Sequence, residues 1–194
     1  MVRTESTMLP LGTVAPSFNL EDVVSGTTVT LTNFKNKKGL LVMFICQHCP
    51  FVMHVEDELG KIGQDYVPQE IGVLAISANS IKTPPQDDPD NMRQQAKRAN
   101  FNFPYALDAT QEVAKSDPAA CTPDLFLFDS ELKLAYRGQL DDARPGNDKP
   151  VNGKDLRAAI DQLVAGQSVP ETQRPSIGCN IKWAPGNEPA YFGI

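Results

Sequence analysis

The chain has 194 residues, of which 41% are apolar and 22% charged, and this suits one globular domain with a sizeable core rather than two domains. Lysine and arginine (18) are outnumbered by aspartate and glutamate (24), and the net charge of -6 argues against binding to nucleic acid or to an anionic membrane. No apolar run approaches the roughly 20 residues that span a bilayer, and residues 1–11 lack the apolar stretch of a signal peptide, so we expect a soluble, cytoplasmic protein.

Apolar and amphipathic segments alternate along the chain, which is typical of an α/β domain with a largely parallel central sheet. Buried strands are predicted at residues 40–45 (LLVMFI), 73–78 (VLAISA) and 125–129 (LFLFD). Residues 132–138 alternate like a strand with one solvated face, and we expect them to pair antiparallel with residues 125–129. This late hairpin makes the predicted sheet mixed.

Four helices are predicted, at residues 50–66, 90–99, 110–115 and 154–165. Residues 83–89 (TPPQDDP) are polar and rich in proline, which indicates a surface loop. After residue 166 the chain has no periodic pattern, yet it contains four residues that favour burial: Ile177, Cys179, Ile181 and Trp183. We therefore predict one domain over residues 1–166 and a tail, 167–194, that packs against it.

The sequence CQHCP at residues 46–50 lies between a predicted buried strand and a predicted helix. A C-x-x-C pair in this context indicates redox chemistry, because the two sulfurs can form a disulfide and a helix N-terminus stabilises a thiolate. Pro50 is favoured at the first helical position, which places Cys49 at the N-cap, where the pKa of a thiol is lowered most. We predict that Cys49 is the nucleophile and that Cys46 resolves the mixed disulfide.

Two further features of the sequence have a functional and a structural interpretation. His48 either makes the cysteine pair more oxidising or is an exposed loop residue with little effect. Pro123 directly precedes the predicted strand at 125–129, and local sequence alone favours an ordinary trans proline there. With a cis peptide bond instead, Thr122 would present backbone polar groups to an incoming thiol or peptide.

The positions of these motifs resemble those of the thioredoxin superfamily, which has a C-x-x-C after one strand and a Thr-Pro before a later one. The chain is similar to the branch that contains alkyl hydroperoxide reductase and thiol-specific antioxidant proteins. G-x-x-A-P-x-F-x-L at residues 12–20 and L-x-x-F-K at residues 31–35 match the opening of that branch. CQHCPFV, CTPD, YRGQLDD and GCNIKW resemble a peroxiredoxin-like group with both a C-x-x-C motif and a C-terminal cysteine.

The resemblance implies a thioredoxin-like fold, with a mixed sheet flanked by helices, an N-terminal hairpin extension and a C-terminal tail. It also implies a cis bond between Thr122 and Pro123 facing the active cysteines, and it equates Cys49 with the peroxidatic cysteine of peroxiredoxins. Peroxiredoxins need a proline and a threonine where this chain has Val42 and Cys46. A dithiol mechanism therefore fits this chain better than a peroxide-binding pocket.

The sequence is compatible with three functions. A thiol-disulfide oxidoreductase would act on protein or small-molecule disulfides, and a thiol peroxidase on hydroperoxides, each with a recycling thiol donor and without a cofactor or metal. A structural protein that binds zinc through the four cysteines, or another binding protein, is the third, although zinc sites are often built from two C-x-x-C pairs. Cys121 and Cys179 stand alone in the sequence, either as members of a redox relay with the C-x-x-C pair or as small buried side chains.

Overall fold

The computed structural model describes residues 3–81 and 87–192 of the chain. Within these ranges the ten strands are β1 (Arg3–Glu5), β2 (Asn19–Asp22), β3 (Thr28–Thr30), β4 (Gly39–Phe44), β5 (Ile71–Ser77), β6 (Tyr105–Leu107), β7 (Cys121–Thr122), β8 (Asp124–Asp129), β9 (Leu134–Arg137) and β10 (Ile177–Asn180). The four α-helices of the same ranges are α1 (Pro50–Tyr66), α2 (Pro89–Arg98), α3 (Glu112–Ser116) and α4 (Lys154–Val164). Short 3-10 helices cover Leu31–Phe34 and Val67–Gln69.

Seven strands form one mixed sheet in the order β3-β2-β6-β5-β4-β8-β9. β5 runs parallel to β4 and β6, and the other neighbouring pairs are antiparallel. The expectation of a largely parallel sheet is therefore wrong, since only two of the six neighbouring pairs of described strands are parallel. The short connections after β2 and β8 allow only antiparallel pairing at those two places. The mixed sheet, the hairpin of β8 and β9 and the N-terminal hairpin of β2 and β3 are confirmed.

β4 and β5 lie at the centre of the sheet, and every residue of both strands is buried. Successive side chains of a strand point to opposite faces. Leu41 and Met43 accordingly pack with α1, α2 and α4 on one face, whereas Leu40 and Val42 pack with α3 and Trp183 on the other. Helices on one face and a short helix with the tail on the other explain why LLVMFI is apolar at every position.

The predicted helices agree with the structure to within two residues at each end, and α1 has the predicted bounds. Residues 83–86 of the loop predicted at residues 83–89 lie outside the described residues. The rest is not a surface loop: Asp87 is buried, Asp88 caps α2 by accepting a hydrogen bond from the backbone N–H of Asn91, and Pro89 starts that helix. Among the described residues, no helix has the length and apolar character needed to cross a membrane.

Three short strands form a second sheet in the order β1-β10-β7. β10 belongs to the segment after residue 166, and it pairs antiparallel with β1 on one side and with β7 on the other. Ile181 and Trp183, which follow β10, are buried in the core. The tail strand thus lies beside the residues that precede Pro123.

Candidate active site

The end of β4 and the start of α1 position the two cysteines of the C-x-x-C motif. Cys46 lies in the connecting loop, and Cys49 is the N-cap residue of α1 with extended backbone angles (φ -73°, ψ 122°). Pro50 follows as the first helical residue, where its fixed φ suits the helix and its missing N–H is no loss. The exposed fraction is 1% for Cys46 and 0% for Cys49, so both side chains are buried.

Hydrogen-bond donors surround the sulfur of Cys49. The hydrogen bond with the Cys46 thiol lowers the pKa of Cys49 most, and burial raises it. Hydrogen bonds with the thiol of Cys179, the side chain of Thr122 and the backbone N–H of Val52 lower it further. Together they lower the pKa of Cys49 from its ordinary value of 9.0 to about 4. The Val52 N–H group belongs to the first turn of α1 and also donates a hydrogen bond of 3.0 Å to the carbonyl oxygen of Cys49. A pKa of about 4 predicts that Cys49 is a thiolate at neutral pH.

The sulfur of Cys46 has the opposite electrostatic environment. Its hydrogen bond to Cys49, its burial and the nearby carboxylate of Asp87 raise the pKa of Cys46 well above its ordinary value. The hydroxyl oxygen of Thr122 lies 3.3 Å from Cys46 Sγ. Cys46 therefore keeps its proton at a pH at which Cys49 has lost its own.

Thr122, directly before Pro123, contacts both sulfurs of the C-x-x-C pair. The Thr122–Pro123 peptide bond is cis, as the family resemblance implies. The hydroxyl of Thr122 contacts Cys46, and its carbonyl oxygen lies 3.2 Å from Cys49 Sγ, where it accepts a hydrogen bond from the neutral thiol. The structure therefore brings Thr122 together with the C-x-x-C pair, at the position expected for it.

His48 lies beside a buried carboxylate that sequence reasoning missed. Its Nδ1 is 2.8 Å from Asp87 Oδ2, close enough for an ion pair, although the two groups are not aligned as a hydrogen bond. Asp87 accepts hydrogen bonds of 2.8 Å from the backbone N–H of Gln47 and from the side-chain amide of Asn79. The Asp87 carboxylate raises the pKa of His48 against the effect of partial burial. Burial would raise the pKa of Asp87, but these contacts hold it below its ordinary value.

Cys46, His48 and Asp87 also offer a thiol, an imidazole and a carboxylate whose ligand atoms all lie within 4.8 Å of one another. Zinc accepts all three types of ligand. Each side chain already has a partner in the structure: Thr122 for Cys46, and the ion pair for the other two. We therefore interpret this group as part of the redox site, and it differs from the four-cysteine zinc site considered from the sequence.

The two remaining cysteines lie on opposite faces of the small sheet. Cys179 pairs with Thr122 across the ladder of β10 and β7, and its thiol forms a hydrogen bond with Cys49. Cys121 pairs with Asn180 instead, and its sulfur lies 3.6 Å from the carbonyl oxygen of Pro123. Three of the four cysteines therefore meet at one point. A relay role for Cys121 stays a prediction.

Comparison with known proteins identifies the family. The sequence profile described as the AhpC/TSA family matches residues 11–137, which is more than half of the chain. The chain belongs to the AhpC/TSA family. The match ends before β10, so Cys179 lies outside the matched residues.

Individual relatives of this AhpC/TSA protein are similar in sequence or in fold. A crystal structure of an uncharacterized conserved protein from Geobacillus kaustophilus is 50% identical, with a TM-score of 0.93, and the match covers 96% of this chain and 98% of that one. The thiol-disulfide oxidoreductase ResA of Geobacillus thermodenitrificans is 28% identical over 134 residues, 68% of this chain and 70% of the relative. The thioredoxin domain of a thiol-disulfide oxidoreductase from Bacteroides vulgatus is 20% identical, with a TM-score of 0.59 over 78% of this chain and 99% of that one, and has the same fold. The fold is therefore thioredoxin-like.

Proposed function

We propose that this protein is a thiol-disulfide oxidoreductase in which Cys49 is the nucleophile and Cys46 is the resolving thiol. The observation that carries the proposal is the pair of hydrogen-bonded sulfurs with opposite pKa shifts at the start of α1. A thiolate is needed for attack on a disulfide, and a protonated neighbour is needed for the second step. Thr122, next to the cis bond, contacts both sulfurs: its hydroxyl lies beside Cys46 Sγ, and its carbonyl oxygen accepts a hydrogen bond from Cys49 only while that thiol is protonated.

The reduction of a substrate R–S–S–R′ then takes two steps. The Cys49 thiolate attacks one sulfur, the Cys49–S–R bond forms, the S–S bond of the substrate breaks, and R′S⁻ leaves. Once Cys49 is in the mixed disulfide it has no charge, so the largest cause of the raised pKa of Cys46 is gone. Cys46 gives up its proton and attacks Cys49, the Cys46–Cys49 disulfide forms, and the second thiolate leaves and takes that proton. The reverse sequence oxidises a dithiol.

Protein or small-molecule disulfides are the substrate class that this chemistry takes, and the name of the relative ResA supports the same class. The cysteine pair itself carries the two electrons, so the mechanism requires no cofactor and only a thiol donor that reduces the pair again. We place His48, with its ion pair to Asp87, beside the pair as a positioning residue. A cationic imidazole near Cys49 favours the thiolate, and stabilising the reduced form makes the couple more oxidising.

The test is to equilibrate the wild-type protein and its Cys46→Ser and Cys49→Ser variants in glutathione buffers and to map the disulfides. We expect a reversible Cys46–Cys49 couple in the wild-type protein that both variants lack. Only Cys49→Ser should also lose the reaction with an external disulfide. A Cys49→Ser variant that still reacts, while Cys46→Ser does not, would assign the nucleophile to Cys46. The absence of any intramolecular disulfide at Cys49 in the oxidised wild-type protein would refute the proposal.

One observation favours a second candidate function, a thiol peroxidase. Cys49 has no exposed surface, and a hydroperoxide is much smaller than a protein disulfide. The thiolate would attack the peroxide, forming a sulfenic acid and releasing an alcohol or water, and Cys46 would condense with it to a disulfide and release water. Initial rates with insulin and with hydrogen peroxide, each with dithiothreitol as the recycling thiol, distinguish the two functions. We expect the greater Cys49-dependent rate with insulin.

A further inference from the structure

The tail strand β10 is held at the active site from both sides. Its residue Cys179 pairs with Arg3 of β1 and with Thr122 of β7 in two antiparallel ladders. Residues directly opposite each other in such a ladder project to the same face of the sheet. Cys179 therefore projects to the face on which Thr122 contacts the C-x-x-C cysteines, and the ladders fix it there.

Gly178 allows this strand to approach closely. A Cβ atom at this position would lie 1.9 Å from the carbonyl oxygen of Thr122 and 2.5 Å from its carbonyl carbon. Both are backbone atoms, so they cannot move aside as a flexible side chain would. The absence of a side chain at residue 178 thus lets the next residue, Cys179, reach the sulfur of Cys49.

The contact between Cys49 and Cys179 is a hydrogen bond between a thiolate and a thiol. Cys179 is 3% exposed. Burial, followed by the hydrogen bond and the negative charge of Cys49, raises its pKa to about 12. In the reduced protein Cys179 therefore keeps its proton. The nucleophile has a protonated thiol on two sides: Cys46 from its own motif and Cys179 from the tail.

We propose that Cys179 is a second resolving thiol for Cys49, so that the protein forms a Cys49–Cys179 disulfide as an alternative to the Cys46–Cys49 disulfide. This inference rests on the proposed function. Cys179 attacks Cys49 in the mixed disulfide with the substrate, the Cys49–Cys179 bond forms, the Cys49–S–R bond breaks, and the leaving RS⁻ takes the proton from Cys179. The same attack on the Cys46–Cys49 disulfide moves that disulfide to the tail without net oxidation, and Cys46 then receives the proton.

The electrostatics of the mixed disulfide favour this step. When Cys49 is bonded to a substrate sulfur it has no negative charge, so two of the causes that raise the pKa of Cys179 disappear and only burial remains among the three. The positive charge of Lys182, three residues after Cys179, also lowers the pKa of Cys179. Cys179 is thus protonated while Cys49 is free and becomes easier to ionise when Cys49 has reacted.

The experiment uses the Cys46→Ser variant, which lacks the first resolving thiol. One equivalent of 5,5′-dithiobis(2-nitrobenzoate) is added to the reduced full-length protein, and the released thionitrobenzoate is followed together with the protein mass. We expect release of two equivalents and no remaining adduct, because Cys179 displaces the second one. The Cys46→Ser/Cys179→Ser variant should release one equivalent and keep the adduct. A Cys46→Ser variant that keeps its adduct as firmly as the double variant would overturn the inference.

Two controls separate the possible failures. The Cys46→Ser/Cys121→Ser variant is matched in the number of thiols, and it should behave like Cys46→Ser because Cys121 lies on the other face of the sheet. Peptide mapping of oxidised Cys46→Ser for a Cys49–Cys179 link needs no change at residue 179, and finding no such link would also overturn the inference. No adduct in the Cys46→Ser/Cys179→Ser variant would contradict the proposed nucleophile instead.

Discussion

The ionisation of Cys49 is the property on which the mechanism depends, and the absorbance of thiolates near 240 nm measures it directly. Among the four cysteines, the structure lowers the pKa of Cys49 to about 4 and raises the pKa of the other three. A thiol with its ordinary pKa is about 1% ionised at pH 7, and one with a pKa of about 4 is about 99.9% ionised. The ionised fraction is therefore roughly 100 times larger for Cys49 than for an ordinary thiol. We expect one thiolate per reduced chain to appear between pH 3 and 6, and no further one below pH 8.

A pair of substitutions at Cys46 tests the cause of this shift. Serine keeps a hydroxyl that can donate to the Cys49 thiolate, whereas alanine has no donor. A hydrogen bond to a charged group contributes about 1.5–3 kcal/mol, which corresponds to roughly 1–2 pKa units. The pKa of Cys49 should therefore rise by about 1–2 units in Cys46→Ala relative to Cys46→Ser. The Cys49→Ser variant should lack the low-pH transition altogether.

The same shift makes the stability of the reduced protein depend on pH. The pKa of Cys49 is lower in the folded state than its ordinary value of 9.0, so the stabilisation is full above pH 9 and is lost as the pH falls toward 4. Urea unfolding of wild type and Cys49→Ser between pH 5 and 8 should show a difference that grows with pH. A single absorbance transition near pH 9, or equal pKa values in the serine and alanine variants, would refute the reasoning.

Two further predictions concern the groups around the cysteines. Asp87→Asn should lower the pKa of His48 toward 6.5, because the carboxylate is the largest cause of its increase, and proton NMR measures this pKa. Arg137→Met should reduce the free energy of unfolding by about 3–5 kcal/mol, since it leaves a buried carboxylate unpaired, while Arg174→Met, which breaks an exposed ion pair, should change it little. Equal urea midpoints for the two arginine variants would contradict the second prediction.

Local patterns in the sequence predict the framework of the site but not its surroundings. Apolar runs at residues 40–45 and 73–78 predict strands buried on both faces, and Pro50 predicts both the start of α1 and the N-cap position of Cys49. These features depend on a few neighbouring residues, since strand alternation and helix capping are local effects.

The features that sequence patterns do not predict depend on contacts between distant parts of the chain. Asp87 lies in a polar, proline-rich segment, and its burial results from hydrogen bonds with Gln47 and Asn79, which no local pattern indicates. The four residues of β10 do not alternate in polarity, and they form a strand because β1 and β7 supply hydrogen-bonding partners on both sides. Local sequence favours a trans Pro123, and only the family resemblance indicates the cis bond that the structure contains.

The buried carboxylate of Asp124 binds residues from several distant parts of the chain close to Thr122. Asp124 accepts hydrogen bonds from the hydroxyl of Ser6 (2.6 Å) and the backbone N–H of Ala120 (2.9 Å), and it pairs with Arg137. The hydroxyl of Ser176, just before β10, donates to the carbonyl oxygen of Pro123 at 2.7 Å. The segments around Ser6 and Ser176 are therefore both bound to the residues that flank Thr122. Disulfide exchange changes the charge of Cys49, but these bonds do not involve the sulfurs, so Thr122 can keep its position beside Cys46 and Cys49 while the sulfurs react.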